Sequence, residues 1–543
     1  MLGFFITGLP SCFSASSWES AEELRDMALT FGMEEQTNGD RHTHEEILKS
    51  SALFAGSSGL ITGIGVVRNK ALAVFLGPVG YGLFGVFGSL VSLVQCIAGL
   101  GVSSSGVRQI AHVASTGSER QIASTVTVLR RVSILLGLLG AAMLIGLSRP
   151  IAVLTFGGPQ HTAAICFLAA AVFLQIISNG QAALIRGLRR IRDLATINVL
   201  GTLFGTIVAI SVVYVFRDNG VVLAIVGNAL TGLAVSWWFS RKVRIGAKGL
   251  TFADSRSQVA SLLKLGMALM ASGLMTLGMA YLVRLMLLRM TGSEATGYYQ
   301  SAWTLGGLYV GFILEAMVAD YYPRLTAHAE NNHACNRLAN EQTLVGLLLA
   351  GPGVLATITM APILIKVFYS VQFLTAVGVL RWLCLGTTLQ VITWPMSYIL
   401  IAKGKQGLFF GTELAWGAVS LVLSWSCIKW CGLAGAGMAF VGSYLFYGIM
   451  LFTILKRLTG FQWFWMNVRT GFLFLGAISA LLAMFYALPL AVVTWVGVAA
   501  TAGCTFYSLY VLMHLLPRER LPLRIRRLLK AQPPPPATKP RAD

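Results

Sequence analysis

From Ser50 onward the chain is a succession of apolar runs, each about 20 residues long, parted by short charged connections. A run of that length crosses a bilayer core of about 30 Å as a helix. The expected spans are 51–76, 82–105, 125–147, 162–185, 195–215, 220–240, 260–289, 297–321, 343–367, 375–402, 407–428, 433–455, 467–487 and 490–514. The fold class is therefore all-α, a polytopic membrane protein of fourteen helices. Only 11% of residues are charged, where a soluble domain carries about 25%. The net charge of +20 has no basic soluble domain to carry it, so it excludes a nucleic-acid partner and points to loops beside an anionic leaflet.

The cations give the orientation. With the N-terminus in the cytoplasm, the inside connections hold more than twice as many Lys and Arg as the outside ones. The inside set includes Arg130, Arg131, Arg186, Arg241, Arg324 and Lys403, and the outside set Arg68, Lys70, Arg284, Arg289, Lys366 and Arg381. This asymmetry places both termini inside. No outside loop is long.

Two landmarks repeat at one shift. Gly80-Tyr81 falls on Gly297-Tyr298, and Arg186-Gly187 falls on Lys403-Gly404. Duplication of a half accounts for both. Spans 1–6 and 7–12 form two copies in the same orientation, related by an axis along the membrane normal, an arrangement in which transporters place substrate between the copies. The expected organisation is an N-terminal extension (1–48), an N-lobe (49–242), a C-lobe (243–457), an extra helical pair (458–515) and a basic, proline-rich cytoplasmic tail (516–543). Residues 1–17 lack the cationic start of a signal peptide, and 18–48 are polar and acidic. That extension reads as a cytoplasmic, disordered lead-in, or as untranslated if synthesis starts at Met27 or Met33.

Candidate chemistry lies in the charges inside the spans. Span 1 would be about 39 Å long, so Arg68 and Lys70 can snorkel to the outer interface. Alternatively they line a water-filled cavity and hold an anion, a reading favoured because cations at an outside end run against the general asymmetry. Arg284 stands next to the repeat-related position in span 7, and Arg381 lies in span 10. Facing arginines suit a pyrophosphate, since guanidinium forks bind phosphate oxygens in pairs. Glu315 and Asp320 in span 8, and Glu413 in span 11, are either structural partners of inner-end cations such as Arg324 or sites of proton or cation coupling. Gly56, Gly59, Gly63 and Gly65 give span 1 a smooth face for close helix packing. Trp237-Trp238 reads as an interfacial anchor, and Pro395 as a kink in span 10. The eight cysteines form no metal spacing or disulfide framework, Gly404-Lys405 lacks the upstream glycine of a P-loop, and no nucleophile–base pair is visible. No cofactor is expected beyond an ion gradient, and the chain reads as a transporter rather than an enzyme.

Three stretches, RNKALAVFLGPVGYGLFG, ALIRGLRRIRDLATINVLG and LRWLCLG with WPMSYILIAKGK, resemble the bacterial O-antigen translocases, the lipid-linked oligosaccharide flippases. The resemblance covers roughly 48–515 and places the chain with the multidrug/oligosaccharidyl-lipid/polysaccharide exporter superfamily, whose two six-helix lobes open alternately. It implies a substrate of undecaprenyl pyrophosphate bearing a short glycan, moved from the cytoplasmic to the periplasmic leaflet of the inner membrane. It also implies a polysaccharide polymerase and a chain-length regulator as partners. Murein lipid flippases of the superfamily use arginines in a central cavity for the pyrophosphate and a groove beside helices 13 and 14 for the lipid tail. Arg68 is similar in placement to one such arginine and Arg284 a looser match. Many members have twelve helices, so 467–514 departs from the pattern, as tail groove or inert addition. Two rival readings remain: a multidrug extruder, which would want carboxylates in the N-lobe, and a membrane glycan polymerase or ligase, which would want a large periplasmic loop.

Overall fold

A computed structural model describes residues 36–116, 119–243 and 252–515. The extension through residue 35, the basic connection 244–251 and the tail from 516 lie outside the described residues. All described secondary structure is helical: α1 (Gln36–Gly99), α2 (Val102–Thr116), α3 (Glu119–Gly146), α4 (Ser148–Phe156), α5 (Thr162–Gly187), α6 (Ile191–Phe216), α7 (Gly220–Ser240), α8 (Phe252–Thr291), α9 (Ser293–Ala327), α10 (Asn332–Thr359), α11 (Ala361–Phe368), α12 (Ala376–Ala402), α13 (Gln406–Thr459), α14 (Trp465–Ala487) and α15 (Leu490–Leu515). The polar segment 36–48, expected to be disordered, is helical from Gln36 on and continuous with the first apolar run.

Eleven apolar helical stretches are long enough to cross a membrane. Three of them, Gly56–Gly99, Ile191–Ser240 and Gln406–Thr459, are 44, 50 and 54 residues long, enough for two crossings each. Each is divided. Gly77 (φ 63°) breaks α1, Arg217 (φ 51°) parts α6 from α7, and Gly432 (φ 58°) breaks α13. With those divisions the eleven become the fourteen expected spans. Gly77 precedes Pro78, whose ring drives the preceding residue out of helical ψ, and its positive φ admits glycine at least cost. Pro395, by contrast, lies within a continuous α12.

The described residues form two compact units. The first takes the chain as far as Trp303, with Pro362–Val379 and Glu413–Ala439. Here α5 packs against both α3 and α7, and α1 packs against α6 and α8. One apolar core joins Val102 and Ile110 of α2, Val126, Leu129 and Val132 of α3, Leu184 of α5 and Leu262 of α8. The glycines expected to pack helices closely in span 1 do not. No heavy atom of another element among the described residues lies within 4 Å of a Cβ built at Gly56, Gly59, Gly63 or Gly65. Close backbone approach falls elsewhere, where Gly101 meets Gly266 and Gly297 meets the Pro78 carbonyl.

The second unit holds Thr304–Ala361, Leu380–Thr412 and the chain from Phe440. In it α10 packs against both α14 and α15, with Gly351 under the Phe474 ring and Gly497 under Thr359. The connection from α13 to α14 is held by buried Asn340. Its Nδ2 donates to the Asn336 and Gln462 carbonyls, and its Oδ1 accepts from the Phe464 N–H and from Asn467 Nδ2, at 2.9–3.0 Å.

Candidate functional site

The site is built around the break at Gly77. The first half of α1 carries Arg68 and Lys70, and the second half begins with Pro78 and presents Tyr81. Tyr81 is 1% exposed, enclosed edge-on by Tyr369 and Phe373 with ring centroids 5.6 and 5.8 Å away. The repeat-related start of α9 packs on this turn. A Cβ at Gly82 would meet the Ser293 carbonyl and the Gly297 nitrogen, and a Cβ at Gly297 would run into the Pro78 carbonyl. The two copies of the Gly-Tyr landmark are thus in direct contact, and only glycine fits where they touch.

This contact fixes Gln300, one turn further along α9. Its side chain lies against Gly85, and its Oε1 accepts from Arg284 Nε at 2.8 Å. Arg284 Nη1 donates to the Ala280 carbonyl of its own helix at 2.7 Å, and its guanidinium lies 6.0 Å from the Tyr299 ring centroid. Arg68 has a buried Nε with no hydrogen-bond partner among the described residues. Tyr81 lies within electrostatic range of both Arg68 and Arg284. No carboxylate forms an ion pair with either among the described residues.

The other cations expected at this end have different surroundings. Lys70 Nζ donates to the Lys366 and Val367 carbonyls at 3.1 and 2.6 Å, closing the C-terminal turn of α11. A cation there satisfies carbonyls that the helix leaves unpaired and meets the negative end of its dipole. Arg289 Nη1 reaches the Val153 carbonyl in the last turn of α4 at 3.4 Å, a carbonyl that also accepts from the Gly157 N–H, so this cation meets the negative end of the helix dipole without filling an unpaired group. Arg381 belongs to the second unit. Its Nε donates to the Ile358 carbonyl at 3.4 Å, and its guanidinium stacks 3.3 Å from the Phe485 ring centroid.

Of the carboxylates, Asp320 pairs with Arg324 one turn on, with both side chains exposed. That is the structural partner foreseen for it. Glu315 is exposed and Glu413 half-buried. The first unit therefore places Arg68 and Arg284 both within electrostatic range of Tyr81. Sequence reasoning misses Tyr81 and Gln300, although Tyr81 sits inside the repeated Gly-Tyr landmark that marks the place.

Long apolar helices with Arg284 and the Arg68 Nε buried among them, and no carboxylate paired to either among the described residues, define a multi-pass membrane protein. Comparison with known proteins agrees on the class. The sequence profile of the polysaccharide biosynthesis proteins matches residues 71–378, and the chain belongs to that family. It is similar to the lipid III flippases of Escherichia coli (strain K12) and Shigella flexneri, 23% identical to each over 408 residues, which is 74% of this chain and 96% of theirs. Among solved structures it is similar to the lipid II flippase MurJ in an inward closed conformation. The TM-score is 0.64 at 13% identity, over 85% of this chain and all of that one. An inward-facing multidrug resistance MATE family transporter of the MOP superfamily gives a TM-score of 0.63 at 16% identity, over 74% of this chain and 94% of that one. The fold is that of the MOP superfamily.

Proposed function

We propose that the protein is a flippase that moves an undecaprenyl-pyrophosphate-linked oligosaccharide from the cytoplasmic to the outer leaflet of the bacterial inner membrane. The observation that carries this reading is the pair Arg68 and Arg284. Two cations inside apolar helices, lacking carboxylate partners, are costly unless an anion meets them. A pyrophosphate accepts the planar fork of each. The family and the lipid III flippase relatives support a lipid-linked precursor as the class of substrate.

In this reading the sugars pass through an aqueous cavity while the polyprenyl tail stays in lipid. The halves 49–242 and 243–457 rock against each other, and residues 458–515 are an appended pair. Arg381 supplies a further cation, and Lys70 steadies α11 beside the site. Glu315, Asp320 and Glu413 are the candidates for coupling to a proton or cation gradient. A polymerase and a chain-length regulator act on the product.

The test is leaflet exposure of a fluorescent undecaprenyl-pyrophosphate glycan in liposomes carrying the purified protein. Arg68→Ala and Arg284→Ala should each slow flipping about tenfold or more, the loss expected for hydrogen bonds to a charged group. Flipping undiminished in both would remove them from the site. No flipping by the wild type, together with drug efflux, would turn the assignment to the multidrug extruder.

A further inference from the structure

A second cationic site lies in the first unit, away from Tyr81. The helices α3, α5 and α7 line a cavity of about 170 Å³, between the middle of α3, the C-terminal part of α5 and the end of α7. By the charge asymmetry this is the cytoplasmic end. Arg130 and Arg241 line it, with Ser133, Gln181 and Trp237. Gly180 leaves room for the Ser133 hydroxyl, because a Cβ there would strike it.

Each polar group has donor capacity left. Arg130 Nη2 donates to the Ser240 carbonyl at 3.3 Å, which fixes the guanidinium at the end of α7 and uses one of its five N–H groups. Arg241 lies 3.8 Å from the Trp238 ring centroid and 5.1 Å from that of Trp237, held by its face rather than by an anion. Gln181 Oε1 accepts from Ser236 Oγ at 2.7 Å, leaving the amide nitrogen to donate. No carboxylate pairs with either arginine among the described residues.

The surroundings identify what anion would sit there. Trp237 and Trp238 are 53% and 51% exposed, as expected of rings at headgroup depth. From the cavity mouth, Ile134, Leu135 and Leu138 run along α3 toward the bilayer interior, 43%, 65% and 53% exposed. A free phosphate would use only the polar floor, whereas a phospholipid would use the floor and the apolar wall. We infer that Arg130, Arg241 and Gln181 form a binding site for the headgroup phosphate of an anionic phospholipid of the cytoplasmic leaflet, its acyl chain lying along α3. The site is independent of the pyrophosphate site and of the flipping reading.

The experiment is native mass spectrometry of the full-length protein in detergent, titrated with phosphatidylglycerol or phosphatidylcholine. Inorganic phosphate is added as competitor in a separate arm. Phosphatidylglycerol should be retained over phosphatidylcholine. Arg130→Gln with Arg241→Gln should weaken its retention about thirtyfold, two cations at about 1 kcal/mol each. Arg131→Gln, one residue away and outside the cavity, should leave retention unchanged. The double lysine variant should recover most of it, and it keeps the test informative if the glutamine variant fails to fold. Equal retention of the two lipids would overturn the inference. So would equal loss from Arg131→Gln, or displacement of the lipid by an equal concentration of inorganic phosphate.

Discussion

Lys70 and Arg68 are two residues apart on α1, yet their surroundings differ in kind. Lys70 closes the carbonyls that α11 cannot pair, while Arg68 keeps a buried Nε without a partner among the described residues. A similar division separates Arg289, which lies against the last turn of α4, from Arg284, which is turned toward Gln300 and Tyr299. Sequence alone makes these four cations equivalent, because a cap is defined by where a remote helix happens to end. Asn340 was equally hidden, since one asparagine in NRLANEQTL looks like a loop residue. It is fully buried and bonds three groups around the start of α14, besides the Asn336 carbonyl of its own helix. Asn340→Ala leaves the Phe464 N–H and the Gln462 carbonyl unpaired, and should cost about 3 kcal/mol. A fall in the thermal midpoint of the detergent-solubilised protein would register it, and an unchanged midpoint would mean that water replaces those bonds.

Between elements, the glycines sort themselves by what stands opposite. The smooth face expected on span 1 was argued from residue size, and its glycines turn out to face no close neighbour. Gly297 faces the Pro78 carbonyl, where any side chain must displace backbone. Gly63→Ala should therefore be neutral or slightly stabilising, by up to about 1 kcal/mol from helix propensity. Gly297→Ala should part α9 from the turn at Gly77 and lower both the folded yield and the thermal midpoint. Side-by-side melts of the two variants check this, and equal behaviour would show that the Gly297 contact yields without cost. The repeated Gly-Tyr landmark was visible in the chain, but contact between its two copies was not, because a repeat says nothing about which faces meet.

At the scale of the whole molecule, the described helices allow fourteen crossings, an even number, which would put residues 36 and 515 on the same side of the membrane. Fluorescent-protein and alkaline-phosphatase fusions at each end should both report the cytoplasm. Opposite reports from the two ends would require one of the divided helices at Gly77, Arg217 or Gly432 not to turn back. The count was legible because it depends on local quantities, the length of an apolar run and the glycine or proline that ends it. Orientation is an expectation drawn from loop charge, which is also a local quantity, and the fusions above test it. The amino-acid sequence thus determined an all-helical membrane chain, its number of spans, and a cationic stretch at Arg68 that has no business in lipid alone. Only the tertiary structure decided that Arg68 and Arg284 both come within electrostatic range of Tyr81, that Lys70 caps α11, and that Arg130 and Arg241 share a cavity. Those facts rest on which helix ends and faces come within a few ångströms, and hydrogen bonds and ion contacts are short-ranged while the residues making them lie tens to hundreds of positions apart.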